Sequence, residues 1–342
     1  MKRTSKYNFC TLFDKNYLAH ASSLFDSLDK HIDSYNIYCF CMDDESFQFI
    51  KKNKNKSIIP ISFKQLEIHY PELKSAKLNR SIVEYYFTCT SAICSFIFDN
   101  YSDIKLLTYL DADLYFFSSV EPIFKELKDY SIGIIDHKFN FLGKLLYEKY
   151  GKYNVGWISF RNDQSGRKCL EDWRIDCLSW CYDRLENGQF ADQKYLNYWP
   201  KNYSGVHIIK HVGANLAPWN VGRYNVELNS KNNQVMVNNQ NLIFYHFASL
   251  KQIDTNHYRT NISSYFTYLS NKLKFFIYEP YILNLRKCNK EIGVNFVVSG
   301  RVDYLHKGFI KKIKQLSIKL RWFLFSDSIK INIKSSKSTL RL

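Results

Sequence analysis

The sequence predicts an α/β protein: a parallel sheet with helices on both faces. Two observations predict it. Short apolar runs alternate with helical patterns over residues 7–61, the βαβαβ order that gives a parallel sheet. Further on, IKLLTYL (104–110) is almost wholly apolar, as a strand buried on both faces must be. Ligands of such sheets bind at the carboxyl ends of the strands.

The elements follow in order. YNFCTLF (7–13) reads as a first strand, and Leu18, Ala21, Phe25 and Leu28 then share one helical stripe. YNIYCFCM (35–42) is a second strand, and DDESFQFIKK opens with acidic capping residues and turns helical. SIIPI (57–61) is a third strand, whose Pro60 suggests an edge. One long helix is expected over about 75–100, ahead of the central strand, which runs directly into Asp111-Ala112-Asp113. SIGIIDH (131–137), YNVGWISF (153–160), a Trp- and Cys-bearing helix over 166–187, ADQKYLNYWP (191–200), a strand at VHIIKHV (206–212) and the apolar run LIFYHFASLK (242–251) complete this part. Polar residues gather near 252–262, and a basic, helical region follows.

With 46% hydrophobic and 17% aromatic residues, the chain of 342 has ample material for a core and is not a disordered one. Its net charge of +16 first points to nucleic acid, anionic lipid or an acidic substrate. The distribution decides more. Residues 281–342 hold 14 Lys+Arg against 3 Asp+Glu, a net of +11, which leaves about +5 for the first 280. The nine cysteines form no paired CxxC zinc pattern and several lie in apolar runs, so they read as reduced core thiols. MKRTSKYNF lacks the apolar stretch of a signal peptide, and no run reaches the roughly 18 apolar residues that span a bilayer. The expected location is cytoplasmic, peripheral on the inner face of the plasma membrane.

Asp111 and Asp113 follow the central strand, where period-2 geometry points both carboxylates to one side with Ala112 opposite. Two hard oxygen ligands there suit Mg²⁺ or Mn²⁺, which also bind diphosphate oxygens. A turn at a strand end would use Asp equally well. His246 could complete a carboxylate–carboxylate–imidazole site and Lys251 could neutralise a diphosphate; alone, they read as a core histidine and a surface lysine. Asp192-Gln193 fits the N-cap and first turn of the next helix. Asn154-Val155-Gly156 fits a turn before a strand, and Asp14 to Tyr17 a helix start that favours anions.

Their joint order is more specific. A first-strand DxNY, an upstream basic helix, YLDAD, an NxG segment, a DQ pair and HFxSxK together resemble the retaining glycosyltransferases of family 8 and their relatives. The resemblance covers about residues 7–251 and implies the GT-A fold, a Rossmann-like nucleotide-diphospho-sugar transferase domain over 1–255, followed by a basic extension over 256–342. It implies that Asp111, Asp113 and His246 hold Mn²⁺ or Mg²⁺ against the donor diphosphate, beside Ala112. Asp14, Asn16 and Tyr17 would contact base and ribose with backbone help from Thr11 and Leu12. Arg80 would lie near the phosphates or sugar. Asn154, Gly156, Asp192 and Gln193 would contact the sugar, Asp192 or Gln193 being the catalytic candidates, and Ser249 and Lys251 would clamp the diphosphate. Relatives usually carry Gly where Ser249 stands and one more residue before the Lys, so this loop is shorter. The implied donor is a UDP-hexose and the implied acceptor a glycan or lipid-linked sugar of a bacterial surface polysaccharide or lipopolysaccharide.

A sugar-phosphate nucleotidyltransferase would need a Gly-rich phosphate loop where FDKNY follows the first strand, and an oxidoreductase would need GxGxxG. Nucleic-acid binding would explain the charge but not the acidic triplet. A non-catalytic nucleotide-sugar binder stays open. In the tail, GFIKKIKQLSIKLRWFLF (308–325) places Phe309, Ile313, Leu316, Leu320 and Phe323 on one stripe, with Lys311, Lys312, Lys314, Lys319 and Arg321 elsewhere. Such a helix suits an anionic membrane surface; a helix packed on the main domain with a solvated basic face is the other reading.

Overall fold

The computed structural model describes residues 6–140, 143–293 and 309–331, and for Lys144 and residues 309–316 the backbone alone. The first strand, β1 (Tyr7–Phe13), leads to α1 (Leu18–His31), β2 (Tyr35–Cys41), α2 (Asp44–Lys51) and β3 (Ile58–Ser62). Next come α3 (Phe63–His69), α4 (Leu73–Asn79), α5 (Ile82–Asn100), β4 (Leu106–Leu110) and β5 (Leu114–Phe116). These lead to α6 (Glu121–Glu126), β6 (Ile132–Asp136), α7 (Lys144–Tyr150), β7 (Tyr153–Arg161) and α8 (Gln164–Ser179). A 3₁₀ turn (Lys194–Tyr198) runs into the short α9 (Trp199–Asn202), before β8 (Val206–Ile208), the hairpin strands β9 (Val226–Asn229) and β10 (Gln234–Val237), then β11 (Gln240–Asn241) and β12 (Phe244–His246). The last elements are β13 (Lys251–Gln252), β14 (His257–Arg259), α10 (Asn271–Leu273), α11 (Glu279–Ile292), α12 (Phe309–Leu324) and β15 (Ile329–Lys330).

The α/β class is the one the sequence predicts. Seven strands form the main sheet in the order β3-β2-β1-β4-β7-β6-β8, so Pro60 does lie on an edge strand. The sheet is mostly rather than wholly parallel, because β7 runs antiparallel to both β4 and β6. Alternation along β1 sends Phe9 and Phe13 to one face and Cys10 to the other. On the Cys10 face, α5 and α8 contribute Cys89, Ile93, Ile97, Leu170 and Trp173. On the opposite face lie Leu24, Phe25 and Leu28 of α1 with Trp157 and Phe244.

Several boundaries differ from expectation for local reasons. The helix expected over 75–100 is two: Ser81 starts a new one with a capping box, its hydroxyl accepting from Glu84 N while the Glu84 carboxylate accepts from Ser81 N. Asn154 to Gly156 lie inside β7 rather than in a turn before it. The helix after it ends at Ser179, and the strand expected over 206–212 spans only Val206–Ile208. Residues beyond 255 do more than form a helix. The β14 strand pairs with β13 and β15, and Tyr278, Tyr281 and Leu285 share a core with Ala19 of α1. All nine cysteines are free and buried. Among the described residues, no helix is long and apolar enough to cross a membrane.

Candidate metal and donor site

The site is assembled by two strand pairings. In register, Phe9 of β1 faces Thr108 of β4 and Cys10 faces Tyr109, so the carboxyl ends of these strands lie side by side, with Asp111 just past one and Asp14 past the other. Because β7 is antiparallel, its beginning meets the end of β4: Trp157 pairs with Leu110, and Asp111 N donates to Gly156 O at 3.1 Å. The ribbon β5–β12 then sets His246 opposite Leu114, and Phe247 N donates to Asp113 O at 3.0 Å. The histidine therefore arrives beside the acidic triplet through backbone pairing.

His246 Nε2 lies 3.1 Å from Asp113 Oδ1 and 3.5 Å from Asp111 Oδ2. One ligand atom from each of the three residues falls within 4.8 Å of the other two. Adjacent ligands of an octahedral cation with ~2.1 Å bonds sit roughly 3 Å apart, so two carboxylate oxygens and an imidazole nitrogen fit a hard divalent ion in both chemistry and spacing. Burial lifts the Asp111 carboxyl above its ordinary value, with Asp113 adding to it against the pull of His246. Burial alone would lower His246, but the Asp113 carboxylate outweighs this and holds it above the usual imidazole range. A site of this kind concentrates negative charge, which a bound cation relieves.

Around the three, further groups fix the geometry. Tyr109 donates its hydroxyl to Asp111 Oδ1 at 2.7 Å. Asn154 Oδ1 lies 3.3 Å from His246 Nδ1, and Trp219 presents its ring to the imidazole edge at 5.1 Å. Gly156 leaves the space the imidazole needs: a Cβ there would stand 2.8 Å from two His246 ring atoms. Gln193 is fully engaged, its amide donating to Tyr150 O at 2.8 Å while Oε1 accepts from Asn154 Nδ2 at 3.1 Å and Val155 N at 3.4 Å. Asp192 caps no helix. It is buried beside Thr90, and burial, with Asp111 nearby, pushes its carboxyl up to about 8.

The remaining expected residues are spread along the same edge. Asp14 folds back on its own segment, accepting from Asn16 N, Asn16 Nδ2 and Tyr17 N, and receives the Tyr86 hydroxyl at 3.3 Å. Tyr17 is part-exposed with its ring 5.0 Å from that of His20. Thr11 is buried with an unpaired hydroxyl, and Leu12 follows it in β1. Ala112 is buried. Ser249 holds a left-handed backbone at φ 64°, in the turn that delivers Lys251 to β13; among the described residues the Lys251 ammonium pairs with no carboxylate. Arg80 is not drawn to the triplet. Its guanidinium donates to Thr88 Oγ1 and Leu178 O, both at 2.6 Å, and so ties α5 to the end of α8.

Sequence reasoning missed Tyr109, Thr90, Tyr86 and the loop carrying Trp219 and Asn220. The Asn220 side chain accepts from Ala217 N and donates to His137 O and Asn215 O, which holds that loop against His246. The loop lacks periodicity, so only the compact APWN (217–220) could have marked it.

No protein-family model matches the chain. Two Bacillus subtilis (strain 168) proteins are similar over most of its length. The uncharacterized protein YfnD is 30% identical over 298 residues, covering 85% of this chain and 93% of YfnD. The uncharacterized protein YfnF is 29% identical over 261 residues, covering 72% and 83%. Among solved structures, the galactosyltransferase LgtC in complex with donor and acceptor sugar analogues aligns with a TM-score of 0.47 at 14% identity, over 71% of this chain and 87% of LgtC. Mouse xyloside xylosyltransferase 1 in its apo form aligns at 0.45 and 13%, over 71% and 98%. With 30% identity over an alignment that spans 85% of this chain and 93% of YfnD, the chain belongs to the same protein family as YfnD.

Proposed function

We propose that the protein is a GT-A glycosyltransferase, moving a hexose from a UDP-sugar to a glycan or lipid-linked acceptor with retention at the anomeric carbon. The observation that carries the reading is the convergence of Asp111, Asp113 and His246 at the carboxyl edge of the sheet, beside Asn154, Gly156 and Asp192. Mn²⁺ or Mg²⁺ held there would act as a Lewis acid on the diphosphate oxygens. The chain does the rest. Lys251 adds positive charge to the leaving diphosphate, and the Ser249 turn positions it. Asp14, Asn16 and Tyr17, with the backbone of Thr11 and Leu12, take the base and ribose. Arg80 acts through Thr88 and α5 rather than on the phosphates.

Asp192 decides the route. Burial raises its carboxyl, and a buried carboxyl that resists ionisation suits holding a sugar hydroxyl better than attacking the anomeric carbon, which favours same-face attack by the acceptor over a covalent sugar intermediate. With both polar ends engaged, Gln193 braces Asn154 instead of attacking. Trapping a sugar adduct on Asp192 would overturn this route. The wider reading is tested by titration calorimetry with UDP- and GDP-sugars, with and without Mn²⁺. Metal-dependent binding that disappears in Asp111→Asn and Asp113→Asn is expected; absence of metal-dependent binding to every sugar nucleotide sinks it.

A further inference from the structure

Two segments far apart in the chain build a second surface. The last turns of α12 do not bury their apolar stripe. Phe323 is 82% exposed, and Leu320 and Leu324 are each more than half exposed. The side of the helix that faces the body is the other one: Arg321 donates to Ser264 Oγ at 3.1 Å, and the Arg259 guanidinium covers the Trp322 ring. A helix packed by its apolar stripe would show the reverse. The orientation is fixed just beyond the helix, where the buried Asp327 carboxylate accepts from Thr260 N, Thr260 Oγ1, Ser263 N and Ser263 Oγ.

Residues 266–269 extend the same face. Leu269 N donates to Phe325 O at 3.0 Å, the Phe266 and Phe325 rings lie 6.1 Å apart, and Ser326 Oγ donates to the Tyr268 hydroxyl. Phe266 and Tyr268 are both more than half exposed. Phe266 also sits at φ 52°, a left-handed conformation costly for a bulky side chain, and its ring gains little burial in return.

We propose that Leu320, Phe323, Leu324, Phe266 and Tyr268 form a docking face for an anionic lipid surface. Charge selects that occupant: α12 carries Lys311, Lys312, Lys314 and Lys319 and no acidic residue, while Arg321 turns to the body. Apolar and aromatic side chains backed by cations are what the headgroup boundary of an anionic bilayer accepts. The side chains of Phe309, Ile313, Leu316, Lys311, Lys312 and Lys314 lie outside the described residues, so the face stands on the last turns of the helix. The face is linked to the candidate metal site through two ring contacts: Tyr265, next to Phe266 in the chain, packs against Trp219 at 6.4 Å, and Trp219 packs against His246. A docked bilayer would bring a lipid-linked acceptor towards the centre; only this corollary rests on the glycosyltransferase reading.

The test is co-sedimentation of the full chain with phosphatidylcholine vesicles, alone or with about a third phosphatidylglycerol. Binding to the anionic vesicles only, weakened by salt, is expected. The doubly substituted L320E/F323E chain should lose about tenfold or more in affinity, and F266S/Y268S, which leaves α12 untouched, about fivefold. The side chains replaced in L320E/F323E are exposed, so its melting temperature should stay close to that of the parent. F266S/Y268S should melt only slightly lower for its lost contacts with Phe325 and Ser326. UDP-sugar binding should hold in both, which separates this idea from the catalytic one. Equal partitioning of the variants and the parent chain overturns the proposal. So does binding to neutral and anionic vesicles alike, or light scattering that shows a dimer broken by F323E.

Discussion

Gly156 and Ser249 mark the two places where a single side chain decides the shape of the centre. A methyl group at 156 would press on the His246 ring and on Asn154 Oδ1, which stands 2.7 Å from that position. Gly156→Ala should therefore displace the imidazole, lowering divalent-cation affinity by about tenfold or more while costing about 1–3 kcal/mol of stability; calorimetric Mn²⁺ titration and thermal denaturation check both. Ser249 is the opposite case. At φ 64° a Cβ is a burden that glycine lacks. Ser249→Gly should fold at least as well, gaining up to ~1 kcal/mol of stability after its greater unfolded-state freedom is set against the relieved strain; a lower melting temperature would contradict this. These residues also show what the sequence made legible. Asp111, Asp113 and His246 could be named because strand periodicity and motif order point at them. Tyr109, Thr90 and Trp219 could not, because their roles depend on which elements become neighbours.

At the scale of elements, pairing direction was the least legible feature. The apolar run of β7 reads the same whichever way it lies, and only its insertion between β4 and β6 reverses it. Capping chemistry was more visible in retrospect: Ser81 and Glu84 stand three apart at the break between α4 and α5, where hydrophobic periodicity continues and concealed the boundary. The end of α12 depends on a single residue. Asp327 accepts four hydrogen bonds in a fully buried setting. Asp327→Ala would strand those donors and should cost about 3 kcal/mol or more, releasing α12 from the body first. Limited proteolysis should then cut near α12 ahead of the sheet; simultaneous digestion of both would show that the helix is not separately anchored.

Across the whole molecule, buried histidine makes stability depend on pH. His137 is held down to about 3, chiefly by burial, against a hydrogen bond to Lys152 O that works the other way. The unfolded chain takes up that proton near pH 6.5 and the folded chain only far below, so acidification favours unfolding throughout the interval between them. The slope from this residue should be about 1.4 kcal/mol per pH unit below pH ~6. Denaturant titrations between pH 7 and 5 should show it, and His137→Gln should flatten the dependence; an unchanged slope in that variant would place the effect elsewhere. Charge at this scale was legible from the sequence, since the basic excess gathers in the last sixty or so residues. Which side of α12 turns outward was not, because an amphipathic pattern is equally compatible with either face being covered.

The pairing of β5 with β12 carries a consequence for how the molecule comes into being. The carboxylates leave the ribosome more than a hundred residues before the imidazole that joins them, and the stretch between them must find its own place first. Loop closure over such a length is slow and is made late. A nascent chain can therefore build β1 to β4 and their helices while the candidate metal site is still two acidic groups facing water. The cluster comes together only after residue 246 has joined its two partners, and an ion captured there would act as a late clasp between the first half of the molecule and the second.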